Sequence, residues 1–100
     1  MAISSTVVAK LGGNVEHVAL DGGGSRSFSV TLPPGTWLIE CGFYSHSTSN
    51  AAEPTIGGKL VGRCSANGGG TATVVTAGGT VEFSGNFNAI WTTGVAIKLA

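Results

Sequence analysis

The two histidines and five acids of this 100-residue chain, His17, His46, Asp21, Glu16, Glu40, Glu53 and Glu82, are the side chains that could move protons or hold a metal, with Cys41 and Cys64 as thiols. Catalysis needs a nucleophile and a base in fixed geometry beside a cleft. His17 follows Glu16 in a strand-like run and reads as a histidine on a sheet face beside a solvated acid. His46 stands among hydroxyls in Tyr44-Ser-His-Ser-Thr-Ser-Asn50, where serine abundance alone brings Ser and His together, and no Gly-x-Ser-x-Gly elbow occurs. The histidines lack HExxH spacing and the cysteines lack CxxC spacing, so no metal and no cofactor is expected. The triplets Gly22-Gly-Gly24 and Gly68-Gly-Gly70 are not followed by Lys-Ser/Thr and open no helix; they read as hairpin turns, not phosphate loops. Glu40 and Glu82 have the opposite parity to the core residues of their runs and read as solvated charges that discourage edge pairing. The chain is expected not to be an enzyme.

The elements that would position these side chains are strands. Apolar residues recur every second position in runs 4–10, 14–20, 26–32, 36–45, 58–65, 71–76, 79–87 and 93–99, with residues 88–91 as a possible extension of the seventh. Between them lie Gly12-Gly13, the two triplets, Pro33-Pro-Gly35 and Gly78-Gly79, so turn signals return about every ten residues. That spacing predicts an all-β fold, an antiparallel β-sandwich of about eight strands that is jelly-roll-like, as a single domain over residues 1–100. Alternation assigns Phe28, Val30, Leu32, Trp37, Ile39, Cys41, Phe43, Val81, Phe83, Phe87, Val95, Ile97 and Leu99 to the core. Cys41 and Cys64 lie inside such runs and are expected to be buried, reduced thiols.

Charged residues make up 10% of the chain and cancel to zero, which leaves no footprint for nucleic acid or an anionic membrane. No stretch approaches the length of a membrane span, and the first ten residues have no basic region before their apolar ones, so the protein is expected to be made in the cytoplasm and not secreted. A neutral surface does little to keep copies apart. Recognition is expected in the Ser- and Asn-rich loop 46–55 and at aromatic residues beside loops, with Tyr44, His46, Asn50, Ile90 and Trp91 as the contact set. Ile90 breaks the polar parity of Asn86, Asn88 and Thr92 beside Trp91, and an apolar patch there would make the chain a homo-oligomer such as a trimer.

The segment Val30-Thr-Leu-Pro-Pro-Gly-Thr-Trp-Leu-Ile-Glu-Cys-Gly-Phe43 resembles an element of small β-sandwich structural proteins of tailed bacteriophages, and Phe87-Asn-Ala-Ile-Trp-Thr-Thr-Gly-Val-Ala-Ile-Lys-Leu-Ala100 is similar to the final strands of their decoration and fibre-tip domains. The resemblance implies a non-enzymatic virion component made in the host cytoplasm. Its partners would be capsid or tail subunits, which it would bind and reinforce after assembly. The second expectation is a lectin-like carbohydrate- or receptor-binding module.

Overall fold

The computed structural model describes residues 16–100, which contain six strands and no helix. They are β1 (His17–Ser25), β2 (Phe28–Ser45), β3 (Pro54–Ile56), β4 (Lys59–Leu60), β5 (Gly69–Gly85) and β6 (Ala89–Lys98), hydrogen-bonded in the order β1-β6-β2-β5-β3-β4. Every pairing is antiparallel. The run 4–10 lies outside the described residues.

Among the described residues two of the expected turns are bends, which joins four expected runs into two strands, while β3 is an added strand that begins inside the expected loop 46–55. Pro33, Pro34 and Gly35 sit between the pairs Leu32↔Gly79 and Thr36↔Ala77, so three residues of β2 face Gly78 alone. Runs 26–32 and 36–45 are therefore one strand, and so are runs 71–76 and 79–87. A bulge is one of the few places where a sheet accepts proline. Glycine is required opposite it: a Cβ on Gly78 would meet the Pro33 carbonyl, and Gly79 has a φ of 109°. At about 3.3 Å per residue the 18 residues of β2 would span roughly 60 Å, more than the 44 Å length of the molecule, so the ribbon has to bend.

The bend makes the sandwich. It brings the outer half of the β2–β5 ribbon against β6, where the Phe28 and Phe83 rings stack at 4.3 Å and the Trp91 ring meets Phe83 edge-on at 5.2 Å. Phe43 approaches Trp91 from the other half at 6.1 Å. Trp91 is 0% exposed, and its indole N–H donates to the Ser84 carbonyl at 2.8 Å. Trp37 does the same to Pro33 at 2.9 Å, tying the core to the bend. Leu20, Leu32, Ile39, Cys41, Ala72, Val81 and Ala96 belong to the same cluster, with Ala52, Ile56, Cys64 and Ala89.

Several expected positions differ. The triplet at 22–24 is a bulge inside β1 between Asp21 and Ser25, closed by the Gly23 N–H donating to Asp21 Oδ1 at 2.8 Å, and the second triplet leads into β5; neither is a hairpin turn. Of run 14–20, residues 14 and 15 lie outside the described residues, and β1 runs past Leu20 to Ser25, while run 58–65 keeps only β4 and an isolated bridge from Cys64 to Ala52. Residues 89–91 open β6 instead of extending β5. Phe87 is exposed because β5 ends at Gly85 and the chain turns, and Leu99 is exposed because it lies past the end of β6. Val95 and Ile97 are buried, yet they pair with Glu40 and Leu38 on the face away from the aromatic cluster, which Ala96 meets instead. Glu40 keeps its expected face but is buried and partnered, not solvated.

Candidate functional site

The sandwich gathers the 46–53 loop, the 61–68 loop and the 86–88 turn at one end, and a hydrogen-bond network fixes them together. Ser45, the last residue of β2, donates from Oγ to the Asn50 carbonyl at 2.7 Å and accepts the Ser47 N–H at 3.2 Å. Ser47 Oγ accepts the Asn50 N–H at 3.0 Å, and the Ser47 carbonyl accepts the Asn67 N–H at 2.7 Å. Asn86 uses both ends of its amide, donating to the Ala51 carbonyl at 2.9 Å and accepting the Glu53 N–H at 3.0 Å. The His46 N–H donates to the Asn88 carbonyl at 3.2 Å. Short polar side chains bonding nearby backbone are what make Ser/Asn loops adopt one shape.

On this fixed base stands Phe87, 68% exposed. The Arg26 guanidinium lies 3.9 Å from its ring centroid and donates from Nε to the Phe87 carbonyl at 3.1 Å. His46 bonds the same carbonyl through Nε2 at 3.2 Å and sets its ring edge-on to Phe87 at 5.8 Å. A carbonyl only accepts, so Nε2 carries the proton in this contact and Nδ1 is the other ring nitrogen. The result is an aromatic ring held by a cation and an imidazole, with Arg26 and Phe87 61 residues apart in the chain.

Of the expected contact set, His46 belongs to this platform, Asn50 is exposed in the loop below it, and Tyr44 is partly exposed on the sheet face away from the aromatic cluster. Ile90 and Trp91 are buried, so the apolar patch proposed to hold a trimer is absent at that position. Arg26 and Phe87 were not in the set. Phe87 lies between Asn86 and Asn88, both turn formers, and that flanking is the signal that a chain reversal would place it outside a strand.

Among the described residues no three His, Cys, Asp or Glu side chains gather into a metal site. Cys41 and Cys64 are free and buried; burial, then the Asp21 carboxylate, pushes the Cys41 thiol up to about 11 against the opposing hydrogen bond from the Gly42 backbone. The ion pairs Arg63–Glu53 at 3.7 Å and Lys98–Glu16 at 3.5 Å lie at the surface, where such pairs hold little energy. No helix of the described residues is long and apolar enough to cross a membrane.

No protein-family model and no curated protein matches the chain. Among solved structures, the CBM36-1 domain of a multidomain xylanase from the hindgut metagenome of Trinervitermes trinervoides is similar over 86% of each chain, with 18% identity and a TM-score of 0.37. A likeness at that level transfers neither a site nor an activity.

Proposed function

We propose that the protein is a non-enzymatic structural protein of a bacteriophage virion, an accessory that docks on assembled capsid or tail subunits through the Phe87 end of the sandwich. The observation that carries this reading is the platform itself. An exposed aromatic ring and an arginine, already held in place, supply the residue types that dominate protein interfaces, and holding them beforehand lowers the ordering cost of binding. The low, balanced charge is compatible with a dry interface that needs no ionic anchor.

The test is co-sedimentation of the purified chain with virions from its native source, comparing wild type with Phe87→Ala. The chain should pellet with particles, and Phe87→Ala should weaken retention at least about 30-fold, the loss of a hot-spot aromatic, while the far-ultraviolet spectrum stays unchanged. Absence of any particle binding by the wild type removes the reading.

The same ring favours a second reading, a lectin-like module. A sugar can stack its C–H face on Phe87, and the exposed Asn50 lies in the adjoining loop. Retention on a glycan surface, lost in Phe87→Ala and without particle binding, selects it.

A further inference from the structure

The backbone edge of β5 that no described strand covers offers a second interaction surface. One edge of β5 is paired with β2 from Gly69 to Phe83. The other is covered only at its end, where β3 pairs with Phe83, Ser84 and Gly85 and the Gly57 N–H donates to the Glu82 carbonyl at 2.9 Å. From residue 70 to residue 77 that edge has no strand beside it among the described residues. In an antiparallel ladder half of the N–H and C=O groups of such a stretch point outward, ready for another strand.

The other edges carry the devices that discourage strand addition. β1 is broken by its 22–24 bulge next to Asp21, β4 has two residues and begins with Lys59, and the outer half of β2 runs between Arg26 and Pro33. Charge, proline, bulges and shortness are how proteins blunt an edge. Residues 70–77, Gly-Thr-Ala-Thr-Val-Val-Thr-Ala, contain no charge and no proline, and hold unbroken register with β2 from Thr36 to Phe43. Val75 is 56% exposed. Beside them Ile56, Val74, Val75 and Val81 line an open groove whose only charged member is Lys59.

We infer that the occupant of this edge is the same edge of a second copy. Pairing about a two-fold axis through Val74 sets Val74 against its counterpart, Thr73 against Val75 and Ala72 against Thr76. Directly opposite residues then share a face, so the sheet continues across the pair. In the Val74–Val74 and Thr73–Val75 pairs β-branched residues meet β-branched residues, a favourable class of cross-strand contact. Nothing charged meets its own kind, since the two Lys59 side chains lie toward opposite ends of the paired stretch. The two-fold repeats one patch on both copies, the commonest closed symmetry. It leaves Phe87 outside the contact, so docking and pairing are separable.

Sedimentation of the full chain tests this, with two double variants at exposed positions. Wild type should sediment at twice the chain mass. Thr71→Lys with Ala77→Lys places like charges opposite each other twice and should raise the dimer dissociation constant at least about 100-fold, as should Thr71→Glu with Ala77→Glu, since their neighbours in β2, Gly42 and Thr36, carry no charge. An equimolar mixture of the two variants should restore the dimer, because each Lys then faces a Glu; a merely misfolded variant has no route to that rescue. A wild-type monomer at hundreds of micromolar overturns the inference, as does a variant that dimerises like wild type. Amide exchange at 70–77 should be slowed only at dimer-forming concentrations; protection in the dilute monomer would mean the edge is covered within one chain and would also overturn it. A monomer that binds particles removes the pairing and leaves the docking function, and a dimer that binds none does the reverse.

Discussion

The Cys41 side chain points into the core, where loss of water favours the neutral thiol and the Asp21 carboxylate adds to that preference. Its pKa rises from 9.0 to about 11, so at neutral pH it is a small apolar side chain and not a nucleophile. The consequence for stability has a definite sign. Between pH 9 and about 11 the unfolded chain ionises this thiol while the folded chain keeps its proton, so the contribution is whole below pH 9 and is lost as pH rises through that window. Denaturant midpoints should fall between pH 9 and 11, and the fall should be smaller in Cys41→Ala after allowance for its lower starting stability. An equal fall in both proteins would assign the loss to other groups.

Among the elements, the β2–β5 ribbon has the largest consequence, because its two facing irregularities turn a flat hairpin into a folded one. Gly78 is the tight point: an added methyl meets the Pro33 carbonyl, while at Gly79 nothing stands within 4 Å and only the positive φ resists a side chain. Gly78→Ala should therefore lower stability by about 1–3 kcal/mol through overpacking, with Gly79→Ala milder, about 1 kcal/mol for the backbone conformation alone. Equilibrium unfolding of both variants checks the order. A larger cost at Gly79 would mean that backbone conformation and not close approach controls the bend. Loop 46–53 belongs to the same scale, since its shape is held by hydrogen bonds of Ser45, Ser47 and Asn86, with Ala52 its one core residue.

For the whole molecule, two strands that run through both halves of the sandwich leave no boundary at which one half could unfold alone. β2 contributes Phe28 to one side of Trp91 and Phe43 to another, and β5 contributes Phe83. Thermal unfolding should be a single transition with equal calorimetric and van't Hoff enthalpies, the mark of two-state behaviour in a small domain. Two resolved transitions would show that the bend uncouples the halves. The two proposed surfaces are divided by position: the proposed docking platform at Phe87 lies at the loop end, and the proposed pairing edge, residues 70–77, lies on β5.

By itself the sequence determined the all-β antiparallel class, the one-faced core run from Trp37 to Phe43, the buried thiols and the loop region that holds His46 and Asn50, because each follows from local period or local turn chemistry. Tertiary structure decided the rest. Pro33-Pro-Gly35 can reverse a chain or bend it, and the choice depends on whether the strand opposite carries a matching Gly78-Gly79. In Val95-Ala-Ile97 both parities are apolar, so alternation rested on Lys98 when it assigned Val95 and Ile97 to the core, and pairing with β2 turned Ala96 toward the aromatic cluster instead. Trp91 and Phe87 exchanged their expected places because the end of β5 at Gly85 shifts everything after it. The meeting of Arg26, His46 and Phe87 depends on contacts that no local pattern encodes: a period-two rule sees one strand at a time, and this site is made where three segments distant in the chain come together.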